Sequence, residues 1–202
     1  ITLMGDAQAV RHTYSLDRDT VTNYAYETTY QWLTPRAGVN VNLTDRVHLF
    51  ANVSLARREP ITSDLVDPQD YYNEPNFAKR DTTRTGGRIG TIRLSKTTVE
   101  PERMTDYEVG VGYRSSRFNA MANFYYMDFR NEIVPWVGQI SEASGLPVTG
   151  NAERSVHKGI ELEAVVTPLP FIELSGNLNV NDDHFVKYTE NAMDWDAWQP
   201  VP

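Results

Sequence analysis

Apolar and polar residues alternate along most of the chain, and this period of two constrains the fold more than any other feature. From Val47 to Ala56 every odd-numbered residue is apolar, whereas His48, Asn52 and Ser54 lie between them. Successive side chains of a strand point to opposite faces, so such a segment has one apolar and one mixed face. Similar segments occupy residues 36–43, 107–114, 159–166 and 172–180, with a more aromatic strand at 118–129 and a less regular one at 1–16. We therefore predict an all-β chain of about seven strands.

The predicted connections alternate between short and long. Tight turns are predicted at residues 44–46, 115–117 and 168–170, where Asp, Ser and Pro favour turns. Long loops are predicted at residues 17–34, 57–103 and 135–155. In an up-and-down antiparallel sheet, all the short turns then lie at one end and all the long loops at the other. This asymmetry is typical of a transmembrane β-barrel of the outer membrane.

A soluble β-sandwich also produces alternating strands, because its apolar faces meet a second sheet. Two features favour the barrel: the polar residues of the second face suit a wet or filled interior, and loops as long as 57–103 are uncommon in compact sandwiches. A sheet edge cannot face lipid, and single-chain bacterial barrels have at least about eight strands. About seven strands therefore predict an internal section of a larger barrel.

Charge and composition exclude several functional classes. The chain carries 19 basic and 27 acidic residues, a net charge of −8 that is unsuited to nucleic-acid phosphates. It contains no cysteine, which excludes disulfide scaffolds, thiolate metal sites and cysteine nucleophiles. No positioned nucleophile, metal-ligand spacing or cofactor fingerprint is recognisable. We predict neither enzymatic activity nor a cofactor nor a bound metal.

Three segments resemble the barrel of TonB-dependent receptors. Residues 99–134 contain Pro-Glu after a long loop, then Tyr-Glu-Val-Gly at 107–110, and then an Asp-Phe-x-x-x-Ile strand end at 128–133. Residues 150–169 are similar to the family's N-x-x-x-S-x-x-x-G-I-E-L-E strand, and residues 34–60 to its P-R-x-G strand, turn and returning strand. The resemblance covers most of the chain from Thr34 to Val180.

This resemblance implies an outer-membrane receptor for energy-coupled uptake of a scarce nutrient such as an iron-siderophore, cobalamin or a glycan. It implies a barrel of about 22 strands around a plug, of which residues 1–202 are one section without the plug and the last strands. The implied partners are outer-membrane lipid, the TonB complex through a region upstream of this section, a small-molecule or oligosaccharide ligand, and a surface lipoprotein. A soluble or surface glycan-binding β-module is the alternative function, and a passive porin is a third.

Two sets of residues are the candidate sites. Polar side chains on the mixed strand faces are predicted to point into the barrel interior, the lumen: Asn40, Asn52, Glu108, Asn123, Glu161, Glu163 and Asn177. Basic and aromatic side chains of the external loops are predicted to bind ligand, because guanidinium groups attract anions and aromatic rings stack on sugars or planar chelates. These are Arg58, Tyr71, Tyr72, Arg80, Arg84 and Trp136.

Overall fold

A computed structural model of the chain describes residues 1–66, 75–140, 147–189, 192–194 and 199–201. Nearly all of the ordered elements are strands, as the alternation predicts. They are β1 Thr2–Leu16, β2 Tyr24–Asn42, β3 Val47–Arg58, α1 Thr62–Leu65, β4 Phe77–Thr85, β5 Arg88–Thr97, β6 Glu102–Arg114, β7 Phe118–Ile140, β8 Pro147–Leu169, β9 Ile172–Lys187, β10 Ala192–Asp194 and β11 Gln199–Val201. In the described part of the chain, no helix is long and apolar enough to cross a membrane.

Nine strands form one open sheet. β1, β2, β3, β6, β7, β8 and β9 pair antiparallel in that order, and all seven correspond to predicted strands. A hairpin of β4 and β5 joins the sheet through a short parallel pairing of residues 92–94 with residues 24–26 of β2. β10 and β11 pair with each other in a separate small sheet. The predicted antiparallel sheet is confirmed, and the three-residue β2–β5 pairing is a parallel addition to it.

The strand register separates apolar from polar side chains across the whole sheet. One row of directly opposed residues is wholly apolar: Val39, Ala51, Val109, Phe124, Ile160 and Val180. The adjacent row, on the opposite face, is mostly polar: Asn40, Phe50, Gly110, Asn123, Glu161 and Asn179. Val109 is 54% exposed and Val180 is 60% exposed, so no second sheet formed by the described residues packs on this part of the apolar face. We call the two surfaces the apolar face and the polar face.

Aromatic pairs lie at both ends of the apolar face. The rings of Tyr107 and Tyr126 are 6.5 Å apart near the end that carries the longer connections. The rings of Tyr113 and Phe118 are 5.9 Å apart near the tight turns. Aromatic girdles of this kind flank the lipid-facing band of membrane barrels. We call the end with the longer connections the external end.

The tight turns are held by short-range hydrogen bonds. The backbone N–H of Leu43 donates to the carbonyl of Val47 (2.9 Å), and the N–H of Ser115 donates to the carbonyl of Phe118 (2.8 Å). The turns at residues 43–46 and 115–117 confirm the prediction. The third turn lies at residues 170–171 rather than 168–170, because Pro168 still belongs to β8.

The three predicted long loops are wrong in extent. β2 already begins at Tyr24, β7 runs to Ile140 and β8 begins at Pro147, so two connections shrink to residues 17–23 and 141–146. The predicted loop at residues 57–103 contains α1 and the β4–β5 hairpin. Along β4 nearly every residue is exposed to water on both faces, so its residues need not alternate between apolar and polar. At residues 24–32 the alternation persists, but the side chains of one face are aromatic and not aliphatic.

A small hydrophobic cluster anchors the hairpin at the external end. Tyr26 of β2, Leu65 of α1, Phe77 of β4 and Leu94 of β5 are all buried, together with Val66. Leu94 is only 1% exposed. We call this the external cluster; it fixes the hairpin to the upper end of β2.

Candidate functional site

Cross-strand hydrogen bonds connect acidic and amide side chains on the polar face. The Asn52 amide donates to Glu108 (3.4 Å) and the Asn123 amide donates to Glu161 (3.3 Å). Both pairs join neighbouring strands near the middle of the sheet. The Oδ1 oxygen of each asparagine and the carboxylate oxygens accept hydrogen bonds, so the polar face presents mainly hydrogen-bond acceptors.

Three buried acceptor atoms on this face have no hydrogen-bond partner within the described residues: Asn52 Oδ1, Asp106 Oδ1 and Asn123 Oδ1. Asp106 and Asn123 are only 7% and 6% exposed. Leaving a buried acceptor unpaired costs about 1–3 kcal/mol. The polar face is therefore suited to receive donor groups from another segment or molecule.

Rings of the polar face cover glycines of the neighbouring strand. Phe50 lies over Gly110, and the His48 ring lies over Gly112. Tyr125 lies over Gly159, where a Cβ would come within 2.6 Å of its hydroxyl oxygen. At Gly110 and Gly159 an added Cβ would also lie 2.7 and 2.6 Å from a backbone carbonyl oxygen of a neighbouring strand, so these two positions favour glycine whatever the ring does.

Four rings form an aromatic strip on the polar face at its external end. The rings of His12 and Tyr14 in β1 are 4.6 Å apart, Tyr14 is 6.3 Å from Tyr30 of β2, and Tyr30 is 6.1 Å from Trp32. The register places His12 opposite Tyr30, so the four share one face. Such a strip offers ring faces and edges to a planar ligand.

Glu59, just after β3, ties the aromatic strip to the segment that leads to the hairpin. Its Oε1 lies 2.5 Å from His12 Nδ1 and accepts a hydrogen bond from the Tyr14 hydroxyl (3.4 Å). Burial alone raises the pKa of Glu59, but the hydrogen bond and charge of His12 outweigh it, so the pKa is lowered. At neutral pH the Glu59 carboxylate is therefore charged.

The β4–β5 hairpin is strongly basic. Residues 77–97 contain six cationic side chains and only one carboxylate, Asp81, although the whole chain has a net charge of −8. The guanidinium of Arg80 lies 5.9 Å from the centre of the Tyr24 ring. Gly86 and Gly87 turn the hairpin with φ angles of 58° and 79°, which glycine adopts without strain. The exposed cations are Lys79, Arg80, Arg84, Arg88, Arg93 and Lys96.

Arg58 takes part in a clamp across three strands. Its Nη2 donates to Glu102 Oε2 (2.7 Å) and to the carbonyl of Ile133 (3.2 Å). Glu102 Oε2 also accepts the backbone N–H of Ile133 (3.0 Å), beyond the last paired residues of β6 and β7. This clamp gives Arg58 a structural role in addition to the predicted ligand contact.

We expect Glu102→Ala to lower the stability of the full-length protein by about 1–3 kcal/mol, because the Ile133 N–H loses its acceptor and Arg58 loses its partner. Arg58→Ala should cost less, since the Arg58 side chain is 56% exposed and Glu102 only 12%. Both losses of stability are measured as shifts of the urea unfolding midpoint of the detergent-refolded protein. Glu163→Ala is the matched control, because Glu163 is exposed although β8 is paired with a strand on each side. Equal midpoints for the Glu102 and Glu163 variants would contradict the clamp.

The structure locates most of the predicted site residues. All seven predicted lumen residues lie on the polar face, although the direction in which that face points stays a prediction. Arg80 and Arg84 lie on the basic hairpin, and Trp136 belongs to β7. Tyr71 and Tyr72 lie outside the described residues. Ligand contact by any of these side chains stays a prediction.

The sequence prediction does not include the aromatic strip, because it places residues 17–34 in a loop although β2 begins at Tyr24. The signal was present: Tyr24, Tyr26, Tyr30 and Trp32 all occupy even positions, while Glu27 and Gln31 lie between them. This alternation is the pattern of a strand, and the aromatic residues lie on the same face as Asn40 and Asn42 further along β2. It therefore identifies β2 as a strand with rings on its polar face.

The chain matches one protein family over nearly its whole length. The sequence model described as "TonB dependent receptor-like, beta-barrel" matches residues 8–199. The sequence matches no curated protein.

Solved structures share the architecture at low sequence identity. The copper transporter OprC is 16% identical, with 99% of this chain and 27% of that chain covered and a TM-score of 0.67. The FrpB iron transporter from Neisseria meningitidis is 13% identical, with 92% and 24% covered and a TM-score of 0.62. The siderophore receptor PirA from Pseudomonas aeruginosa is 16% identical, with 78% and 27% covered and a TM-score of 0.55. The chain thus spans about a quarter of each structure, and the likeness shows the fold.

Proposed function

Since the chain belongs to the TonB-dependent receptor family, as a section of its β-barrel, we propose that it forms part of the wall and mouth of a receptor that takes up a scarce anionic nutrient. Family membership confirms the resemblance identified in the sequence. It also favours the receptor over the soluble glycan-binding module and the passive porin. TonB-dependent receptor barrels reside in the outer membrane of Gram-negative bacteria, so the apolar face meets lipid.

The polar face is the lumen wall in this proposal. A barrel places its second face inside, and the buried acceptors of Asp106 and Asn123 then face whatever fills the lumen. Acceptor-rich walls suit arginine, lysine and backbone N–H groups of an inner domain. We assign the seven predicted residues, from Asn40 to Asn177, to this wall. The TonB complex and a surface lipoprotein are partners of the whole receptor in the same proposal.

The basic hairpin is the observation from which we infer an anionic ligand. It concentrates positive charge at the external end of an otherwise acidic chain, and the external cluster holds it in place. Positive fields at a mouth raise the rate at which anions arrive. The aromatic strip lies below it and can stack on planar groups. These features together favour an anionic metal chelate with aromatic rings over a neutral glycan or cobalamin.

Association kinetics of the full-length receptor test this assignment. Ferric tris-catecholate, cobalamin and maltohexaose are the probes, measured by surface plasmon resonance with receptor in detergent. We expect the ferric chelate alone to bind. Arg84→Gln with Arg88→Gln should lower its association rate by about tenfold at low salt and less at high salt, because steering is screened.

The matched control removes the same charge from the other end of the barrel. Arg46 and Arg117 lie at the tight turns, so Arg46→Gln with Arg117→Gln should leave the association rate unchanged. Equal slowing by both pairs would show that net charge matters and the hairpin does not. Binding of maltohexaose but not of the chelate would contradict the ligand class while leaving the receptor assignment in place.

A further inference from the structure

Four arginines form one row across four neighbouring strands at the external end. Arg57 of β3 is paired with Arg103 of β6. Arg103 is paired with Arg130 of β7, and Arg130 with Arg154 of β8. Directly opposed residues of antiparallel strands share a face, and the register is unbroken between this row and the apolar band. The four side chains, the arginine row, therefore extend the apolar face outward.

The Tyr107–Tyr126 pair locates the arginine row relative to the membrane boundary. Tyr107 lies four residues from Arg103 along β6, and Tyr126 lies four residues from Arg130 along β7. Four residues of strand span about 13 Å. Aromatic girdles mark the boundary between lipid tails and headgroups. The arginine row thus lies at the level of the headgroups of the outer leaflet.

The positive charge of the row is only partly neutralised within the chain. Asp128 receives two hydrogen bonds from Arg154 (3.2 and 2.7 Å) and lies 3.4 Å from Arg130. Arg57 and Arg103 are exposed and form no ion pair within the described ranges. Like charges directly opposite one another on a sheet repel. Four arginines beside one carboxylate leave an excess of positive charge, which attracts anions.

We propose that the arginine row binds phosphate groups of lipid headgroups in the outer leaflet. Guanidinium groups bind phosphate with two parallel hydrogen bonds, and neighbouring strands lie about 4.8 Å apart, so one phosphate bridges two arginines. The full row is roughly 14 Å wide, which accommodates a headgroup with two phosphates. This site lies on the outer wall and is independent of the nutrient path.

Lipid retention by the full-length receptor tests the site. Receptor refolded in detergent is titrated with vesicles of phosphatidylcholine containing diphosphoryl lipid A, and with the same vesicles containing dephosphorylated lipid A. We expect preference for the phosphorylated lipid. Arg103→Gln with Arg130→Gln should weaken that binding by about tenfold. Arg154 and Asp128 both stay in place, although Arg130→Gln removes the ion pair between Arg130 and Asp128. Heat-modifiable gel mobility confirms folding of the variant.

The control pair removes the same charge from the same side of the membrane. Arg84→Gln with Arg88→Gln, on the basic hairpin, should leave lipid binding unchanged. Equal weakening by both pairs would overturn the proposal in favour of general electrostatic attraction. Equal binding of phosphorylated and dephosphorylated lipid, or displacement of the lipid by millimolar inorganic phosphate, would also overturn it.

Discussion

A receptor that carries Gly110→Val is expected to lose about 3 kcal/mol or more of barrel stability and to refold poorly, because two neighbours occupy the space of the new side chain. The Phe50 ring lies directly over Gly110, and the Ala122 carbonyl oxygen would be 2.7 Å from the added Cβ. The ring can rotate toward the lumen. The Ala122 carbonyl belongs to the ladder between β6 and β7 and cannot move without breaking it.

Ala164→Val is the control. Ala164 lies in β8, which is paired with a strand on each side, and its side chain is exposed on the apolar face. Valine favours strands over alanine by up to about 1 kcal/mol, so this variant should be neutral or slightly more stable. The folded fraction on heat-modifiable gels and the urea midpoint distinguish the two. If both variants unfold at the same urea concentration, close packing over Gly110 is not a determinant of barrel assembly.

The membrane-spanning part of the fold could be predicted because lipid imposes a strict pattern. In the bilayer one face of each strand must be apolar, so Val109 and Val111 alternate with Glu108 and Gly110. This alternation allows the strand to be predicted from the sequence. Register follows from the same alternation, since a slip by one residue exchanges the two faces. All seven spanning strands and two of the tight turns were therefore accessible from the sequence.

The external end could not be predicted in the same way. The β4 strand reads Phe-Ala-Lys-Arg-Asp-Thr-Thr-Arg-Thr, which has no period of two because water surrounds most of it. Its position depends on Leu94 and Phe77 meeting Tyr26, and these contacts join residues about 50 to 70 positions apart. The arginine row was equally hidden. Arg57, Arg103, Arg130 and Arg154 are unrelated in sequence and become neighbours only through the register of four strands.

Replacing Leu94 by alanine should detach the basic hairpin while the spanning strands stay intact. Leu94 is 1% exposed and lies in the external cluster with Leu65 and Phe77, so the cavity left by the substitution should cost about 2–5 kcal/mol. The hairpin joins the sheet through only three paired residues of β2, so this loss falls on the hairpin alone. Hydrogen exchange should rise throughout β4 and β5 and stay unchanged in β6, β7 and β8.

Ile89→Ala is the control for this substitution, because Ile89 lies in the same hairpin but is 51% exposed. It should leave hydrogen exchange in β4 unchanged. Leu94→Ala retains every positive charge of the hairpin. It therefore tests whether the position of the hairpin affects the association rate independently of its charge. If placement matters, the association rate of the ferric chelate falls although net charge is constant, because a mobile hairpin no longer focuses its field on the mouth. An unchanged rate with raised exchange in β4 and β5 would show that charge alone attracts the ligand and that the external cluster serves only stability.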